Sequence, residues 1–335
     1  PITPMTQSRL WKIIQHSNTE EFNKFLLSGT DCDVTELLQT PHQKSGDFPV
    51  HMMCRHGKLG MLKTSHTCWN VTLSPVNLDG KTPLHEAACN GRANVVKYLL
   101  KNEVNVNPLK KAGWTPLMMA CTKINNLPCV TALVNAGAKL HLVNKDGWNC
   151  FHIACREGDM EIIEYLFATE PCIASTVSTN GRTPLHTSAL HGKTEVLKFL
   201  VNTAKSSLET RDVCGSTVLM DGVRSGNVAI VDYIASCGLS LFDVDSMGRN
   251  CLHIAAEANQ SVSIQHLVES YNCDINERIK VENGFKGQTA LHLAYKADSV
   301  EAVECLIKLG ADVSALDNTG RKPHEIKSKK TFKFS

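Results

Sequence analysis

Glycines fall at positions 46, 80, 113, 147, 181, 215, 248, 287 and 320, at intervals of 34, 33, 34, 34, 34, 33, 39 and 33 residues. A period this regular limits the chain to a stack of small supersecondary units, none of which can bury its apolar face alone. Such a stack has one core that grows with each unit, so 335 residues need not mean two domains. A single domain over 1–335 is expected, with an N-terminal cap over 1–45, repeats over 46–316 and a partial repeat with a basic tail over 317–335.

The clearest unit runs from Asp79 to Gly91. Gly80 supplies a turn conformation that other side chains resist. Thr82 is placed to cap the next helix through its hydroxyl, and Pro83 suits the first helical position, where an amide hydrogen has no partner anyway. Ala87 and Ala88 keep that helix thin, so neighbouring units can approach, and Asn90-Gly91 ends it in a left-handed turn. Val95, Val96, Leu99 and Leu100 then give a second helix an apolar face.

These residues resemble the ankyrin repeat. The strongest copies are Thr82-Pro83-Leu84-His85, Thr115-Pro116-Leu117-Met118, Thr183-Pro184-Leu185-His186 and Thr289-Ala290-Leu291-His292. The resemblance implies an all-α ankyrin-repeat solenoid of about eight recognisable repeats. Capping helices are expected over Ser8–Leu38, and a truncated repeat after Lys322-Pro323-His324. The 39-residue interval places the extra residues around Ile275–Lys286, as a longer finger loop.

Composition excludes several classes of function. Lys plus Arg number 35 against 33 Asp plus Glu, so no global field draws the chain to nucleic acid or to a membrane surface. The basic end after Arg321 reads as a solvated terminus. Fourteen cysteines contain no CxxC pair, and most occupy small apolar helix positions, such as Cys89, Cys121, Cys155 and Cys305. Unpaired thiols in that number fit a reducing compartment, cytoplasmic or nuclear. No signal peptide and no membrane-length apolar run is read. The chain begins at Pro1 without an initiator Met, as a fragment would.

Two patterns mimic chemistry. Histidines 51, 85, 152, 186, 253, 292 and 324 share one motif position, but each sits on its own repeat, roughly 10 Å from the next. Zinc needs ligands at about 2 Å, so these imidazoles are expected to hydrogen-bond loop backbone across neighbouring repeats, and no metal or cofactor is expected. Gly80-Lys81-Thr82 and Gly192-Lys193-Thr194 lack the earlier glycine of a phosphate-binding loop, with Pro75 and Thr187 standing there instead. No motif of an ordinary enzyme occurs. Met220-Asp221-Gly222 departs from the repeat pattern, since a polar residue and a helical glycine costing about 1 kcal/mol relative to Ala imply either a specific contact or a soft spot.

One feature is repeated without being part of the scaffold. Lys111-Ala112-Gly113-Trp114 recurs in register as Lys145-Asp146-Gly147-Trp148. Lys81, Arg182, Ser216 and Arg249 hold the tryptophan position elsewhere. Two large aromatics on neighbouring turns, with Lys110 beside them, suggest anchors for a protein partner.

Leu109–Thr122, Asn144–Asn149 with Phe151–Ala154, Arg156–Asp159 and Leu219-Met220-Asp221 are similar to the family of ankyrin repeat domain-containing protein 16. Met-Met and Met-Asp at the histidine position carry more weight than the generic motif. The resemblance implies a cofactor of alanyl-tRNA synthetase. Such a protein takes wrongly activated serine from the adenylate onto lysine side chains, acting as a stoichiometric acceptor and not an enzyme. Its acceptor positions fall on Lys111 and Lys145, with a third near Ser175, and no lysine occurs between Lys145 and Lys193. A lysine of ordinary pKa, about 10.4, is only roughly 0.1% neutral near pH 7.4. An aminoacyl adenylate is, however, a strongly activated anhydride, and a held amine reacts at high effective concentration. Lys110 beside Lys111 opposes its charge, whereas Asp146 favours that of Lys145, so Lys111 is expected to be the better acceptor. The alternative is a generic scaffold for another cytosolic or nuclear protein. Either reading expects a monomer.

Overall fold

The computed structural model describes residues 3–28, 33–280 and 287–326. It divides into two compact units, Pro1–Ile173 and Ala174–Ser335. The first unit opens with α1 (Pro4–His16), α2 (Thr19–Ser28) and α3 (Val34–Gln39). Four helix pairs follow: α4 (Pro49–His56) with α5 (Leu59–Trp69), α6 (Pro83–Cys89) with α7 (Ala93–Lys101), α8 (Pro116–Ala120) with α9 (Leu127–Asn135), and α10 (Cys150–Glu157) with α11 (Met160–Thr169). The second unit holds α12 (Pro184–Leu190) with α13 (Thr194–Asn202), α14 (Val218–Ser225) with α15 (Val228–Ser236), α16 (Cys251–Glu257) with α17 (Ser261–Tyr271), and α18 (Ala290–Ala297) with α19 (Val300–Lys308). Among the described residues the extended pairing is limited to isolated bridges, Lys110 with Trp114 and Arg211 with Thr217. The architecture is the all-helical ankyrin stack.

Within each unit the first helices pack on one another, α4 on α6 on α8 on α10 and α12 on α14 on α16 on α18. Small side chains permit this: Ala87 and Ala88 are fully buried, as is Cys121, while Val95, Val96 and Leu99 of α7 close the core behind them. Each such aliphatic side chain contributes about 2 kcal/mol by leaving water. Leu100, expected in the core, is half-buried. The described cysteines are free thiols, some buried like Cys155 and some exposed like Cys172. No helix among the described residues is long and apolar enough to cross a membrane.

The cap differs from the pair expected over 8–38. α1 packs on α4 and α2 on α5, continuing the stack, but a third short helix, α3, wedges against both α4 and α5. Asp33 starts it by accepting the Thr35 amide at 2.8 Å. That stretch carries no repeat motif, so only tertiary packing defines it. At the other end, Lys322-Pro323-His324 leads into a single 3₁₀ turn, Pro323–Glu325, against α18. Of the long finger expected over 275–286, residues 281–286 lie outside the described residues. Its base closes where the Ile279 amide donates to the Gln288 carbonyl, 2.9 Å.

The motif histidines mostly perform the expected task. In His85, Nδ1 accepts the Thr82 amide at 3.1 Å and Nε2 donates to the Trp114 carbonyl of the next repeat at 3.1 Å. His51 reaches the Lys81 carbonyl at 2.9 Å and His292 that of Arg321 at 3.2 Å. The Thr82 hydroxyl lies 3.0 Å from His85 Nδ1, a departure from its expected role as a direct helix cap. Where Met118 replaces histidine, Thr115 does cap in the expected way, accepting the Met118 amide at 3.2 Å. The Nε2 atoms of His186 and His253 are buried near Ser216 and Gln288 of the next repeat without a hydrogen bond of full geometry, and His324 is exposed.

Candidate functional site

The turns between helix pairs obey a rule visible in the chain itself. Three residues before most of the turn glycines stands Asn or Asp (Asn77, Asn144, Asp212, Asp245 and Asp317), whose side-chain oxygen gathers two amides of its own turn. Asn77 accepts from Asp79 and Lys81, and Asn144 from Asp146 and Trp148, all at 2.9 Å. Neighbouring turns are then tied by their backbones. The Leu78 amide donates to the Ser45 carbonyl (3.2 Å), Lys111 to Asp79 (2.9 Å) and Lys145 to Ala112 (2.9 Å). Both candidate acceptor lysines therefore occupy rungs of one ladder on successive turns. Their main chains are fixed and their side chains are exposed.

The Gly113 turn breaks the rule, because Lys110 replaces the Asn or Asp. It lacks that oxygen and keeps the backbone closure common to these turns, with the Lys110 amide donating to the Trp114 carbonyl at 3.0 Å, as Asn77 does to Lys81 and Asn144 to Trp148. Ala112 is left in the left-handed region at φ 63° and ψ 17°. This conformation costs a residue with a Cβ about 1–2 kcal/mol. The strain is confined to the residue between Lys111 and Gly113.

Neither tryptophan stands free at its turn. The Lys110 ammonium lies 5.8 Å from the Trp114 ring centroid and 3.7 Å from the Asp79 carboxylate. Lys110 is thus only 17% exposed and is committed to its own and the preceding turn. Its charge is directed at Asp79 of the preceding turn. Trp148 stacks on His152 of α10, centroids 6.0 Å apart, and the Arg156 guanidinium lies 5.8 Å from its ring. Both indoles are half-buried. The two tryptophans expected to anchor a partner are thus cation-capped rings, each interaction worth about 0.5–1 kcal/mol at such a site.

At other turns the tryptophan position holds a cation that reaches a buried carboxylate. Lys81 lies 3.2 Å from Glu86, which also receives Arg55 Nε at 2.9 Å. Arg55 donates through Nη2 to Asp47 at 2.9 Å, and Asn77 completes that carboxylate. Burial alone would raise the Asp47 and Glu86 pKa values; the Asn77 and Arg55 contacts at Asp47, and Arg55 with Lys81 at Glu86, hold both below the usual range. In the second unit Arg182 reaches Asp221 at 3.0 Å, joined by Arg224 at 3.1 Å. Asp221 is therefore a specific contact and not a soft spot. Its neighbour Gly222 is required by space, since a Cβ there would lie 2.7 Å from Ile230 Cγ2.

The sequence reading passed over a row of aliphatics four residues before three successive turn glycines of the first unit. Val76, Leu109 and Val143 are 60%, 58% and 52% exposed. The signal was periodic but inconspicuous, because valine and leucine at surface positions are individually ordinary. Ser175, near the expected third acceptor, is exposed.

Ankyrin-repeat patterns match residues 65–143, 122–212 and 202–279 as three copies, and a single-repeat pattern matches 286–318. A Notch-regulated ankyrin repeat-containing protein of Xenopus laevis is 39% identical over 85 residues, 24% of this chain and 74% of the relative. An ankyrin repeat-containing protein of Schizosaccharomyces pombe is 34% identical over 107 residues, 30% of this chain and 44% of the relative. Human transient receptor potential cation channel subfamily A member 1 is 32% identical over 127 residues, 37% of this chain and 11% of the relative. The chain thus spans less than half the length of the last two. What it has in common with all three is the repeat.

Proposed function

Because this chain belongs to the ankyrin-repeat family, a protein-binding architecture, we propose that it is a binding module whose partner is alanyl-tRNA synthetase and whose Lys111 and Lys145 capture misactivated serine. The observation that carries the reading is the doubled Lys-x-Gly-Trp unit. Its two exposed amines project from backbone-tied neighbouring turns, beside tryptophans already used for packing. The finer identity of the partner rests on the likeness of Leu109–Thr122 and Asn144–Asn149 to the synthetase-cofactor family.

The chemistry needs no catalytic group from this chain. A neutral lysine amine attacks the carbonyl carbon of seryl adenylate, the carbon–oxygen bond to phosphate breaks, and AMP leaves with the electron pair. The proton lost from nitrogen goes to solvent. An amide remains, which does not turn over, so the capacity is at most one serine per lysine. What the fold contributes is position. Incubation with alanyl-tRNA synthetase, ATP and serine, followed by peptide mass spectrometry, should show seryl adducts at Lys111 and Lys145. Unmodified lysines within a demonstrated complex would refute capture, and the absence of any complex would refute the choice of partner.

A further inference from the structure

The two faces of the fingers carry different chemistry. Lys110 and Trp114 are bridge partners and touch through the cation–ring contact, so their side chains share the face that also turns Trp148 towards α10. Leu109 and Val143 precede Lys110 and Asn144 in the extended arms, and alternation puts them on the opposite face. Lys111 and Lys145 lie two residues beyond these aliphatics, at the start of the turns, with exposed side chains. The preceding finger supplies Val76 and Leu78, 60% and 63% exposed, and the first supplies exposed Lys44. The first unit's fingers therefore expose an aliphatic row on their arms and lysines at their turns. Lys44, Lys111 and Lys145 make no ion pair among the described residues. Asp79 is engaged by Lys110, leaving the row net cationic beside Asp146. The corresponding positions in the second unit, Thr179, Val213, Ser246 and Asn318, hold no lysine.

We propose that this outer finger face of the first unit docks an acidic amphipathic helix of a partner protein, with aliphatic residues on Val76, Leu109 and Val143 and carboxylates on Lys111 and Lys145. Charge complementarity selects the acidic partner. The ladder selects a helix over a strand: the Leu78, Lys111 and Lys145 amides already donate to the preceding finger, so they cannot pair with an added strand. A helix brings its own backbone satisfied. Successive fingers stand roughly 10 Å apart, the spacing of packed helices, and seven helical residues rise about 10.5 Å. Each finger thus meets every seventh residue of the partner, which presents an aliphatic on each rung and a carboxylate on the two rungs that carry Lys111 and Lys145. This deepens the binding-module reading and rests on its protein-binding part, independently of serine capture.

The probe is a fluorescent synthetic helix of about 21 residues with Leu and Glu recurring every seventh position, compared with a shuffled peptide of the same composition and a Lys-for-Glu version. Anisotropy titrations should show the heptad acidic peptide binding at least about tenfold more tightly than either control. Its affinity should fall between about 50 and about 200 mM salt. The double variant Lys111→Glu/Lys145→Glu should weaken it by about tenfold or more. Lys111→Arg/Lys145→Arg should leave docking intact while abolishing seryl adducts, which separates failure of this inference from failure of the capture reading. Equal binding of the shuffled peptide, or indifference to charge reversal, overturns the proposal.

Discussion

Gly222 shows how one residue's role is set by a neighbour the sequence does not display. By helix propensity alone, Gly222→Ala should stabilise α14 by about 1 kcal/mol. The Ile230 methyl 2.7 Å from the new Cβ reverses the sign, because overpacking a buried contact costs about 1–3 kcal/mol. Urea unfolding of Gly222→Ala is therefore expected to show a net loss of roughly 1 kcal/mol or more; a gain would mean that α15 yields. The departure from the repeat pattern was legible, and so was the oddity of Asp221. Its ion pair with Arg182 was not, because it depends on the fold bringing separate elements together, whereas Arg224 stands one turn along the same helix. The tryptophans follow the same division. Their places on adjacent turns could be read from spacing, but Lys110 over Trp114 and Arg156 over Trp148 require the turned chain.

At the scale of the element, His85 caps its first helix and also bonds the next repeat, and it does both only when neutral. His85 uses Nδ1 as an acceptor and Nε2–H as a donor, so a second proton destroys the cap. Burial depresses its pKa to about 4, against a partial opposing effect of the Trp114 carbonyl. The unfolded chain, with an ordinary value near 6.5, binds a proton that the folded chain refuses. The stability contributed is present above pH 6.5 and is lost as pH falls towards 4, on the order of 3 kcal/mol. Asp221 opposes this trend, since burial raises its pKa to about 6 and favours the folded state as pH falls below that value. The informative quantity is the difference between the wild type and His85→Gln. The variant should be less stable at pH 7, with a shallower loss between pH 6.5 and 4; parallel curves would show that His85 does not titrate on unfolding. The histidine period itself was plain in the sequence, but the incomplete Nε2 bonds of His186 and His253 were not, because an error of a few tenths of an ångström in repeat spacing decides them.

Across the molecule, periodic residues were the readable part and aperiodic ones were not. The glycine interval fixed the helix pairs because every repeat restates the same solution. The segment before Gly46 restates nothing, so its third helix, α3, escaped the reading while the α1–α2 pair did not. That cap covers the open face of α4 and α5 with Leu10, Ile14, Phe22 and Phe25, all essentially buried. Removing residues 1–45 should expose that face, lower the urea midpoint by the loss of about 2 kcal/mol per large side chain, and promote self-association detectable by light scattering. An unchanged midpoint would show that the first repeat is stable without a cap, contrary to the need of stacked repeats for polar ends.

The ladder of finger amides has a consequence for what the chain can carry. At Leu78, Lys111 and Lys145 the scaffold uses only the main chain and leaves the side chain in solvent. Address and cargo are therefore separable, as on a pegboard whose holes are drilled before the pegs are chosen. Proline is excluded there, for want of an amide hydrogen. Any other residue, or a lysine enlarged by an acyl group, can occupy the same hole without moving its neighbours, so the row could be rewritten for a new partner one position at a time.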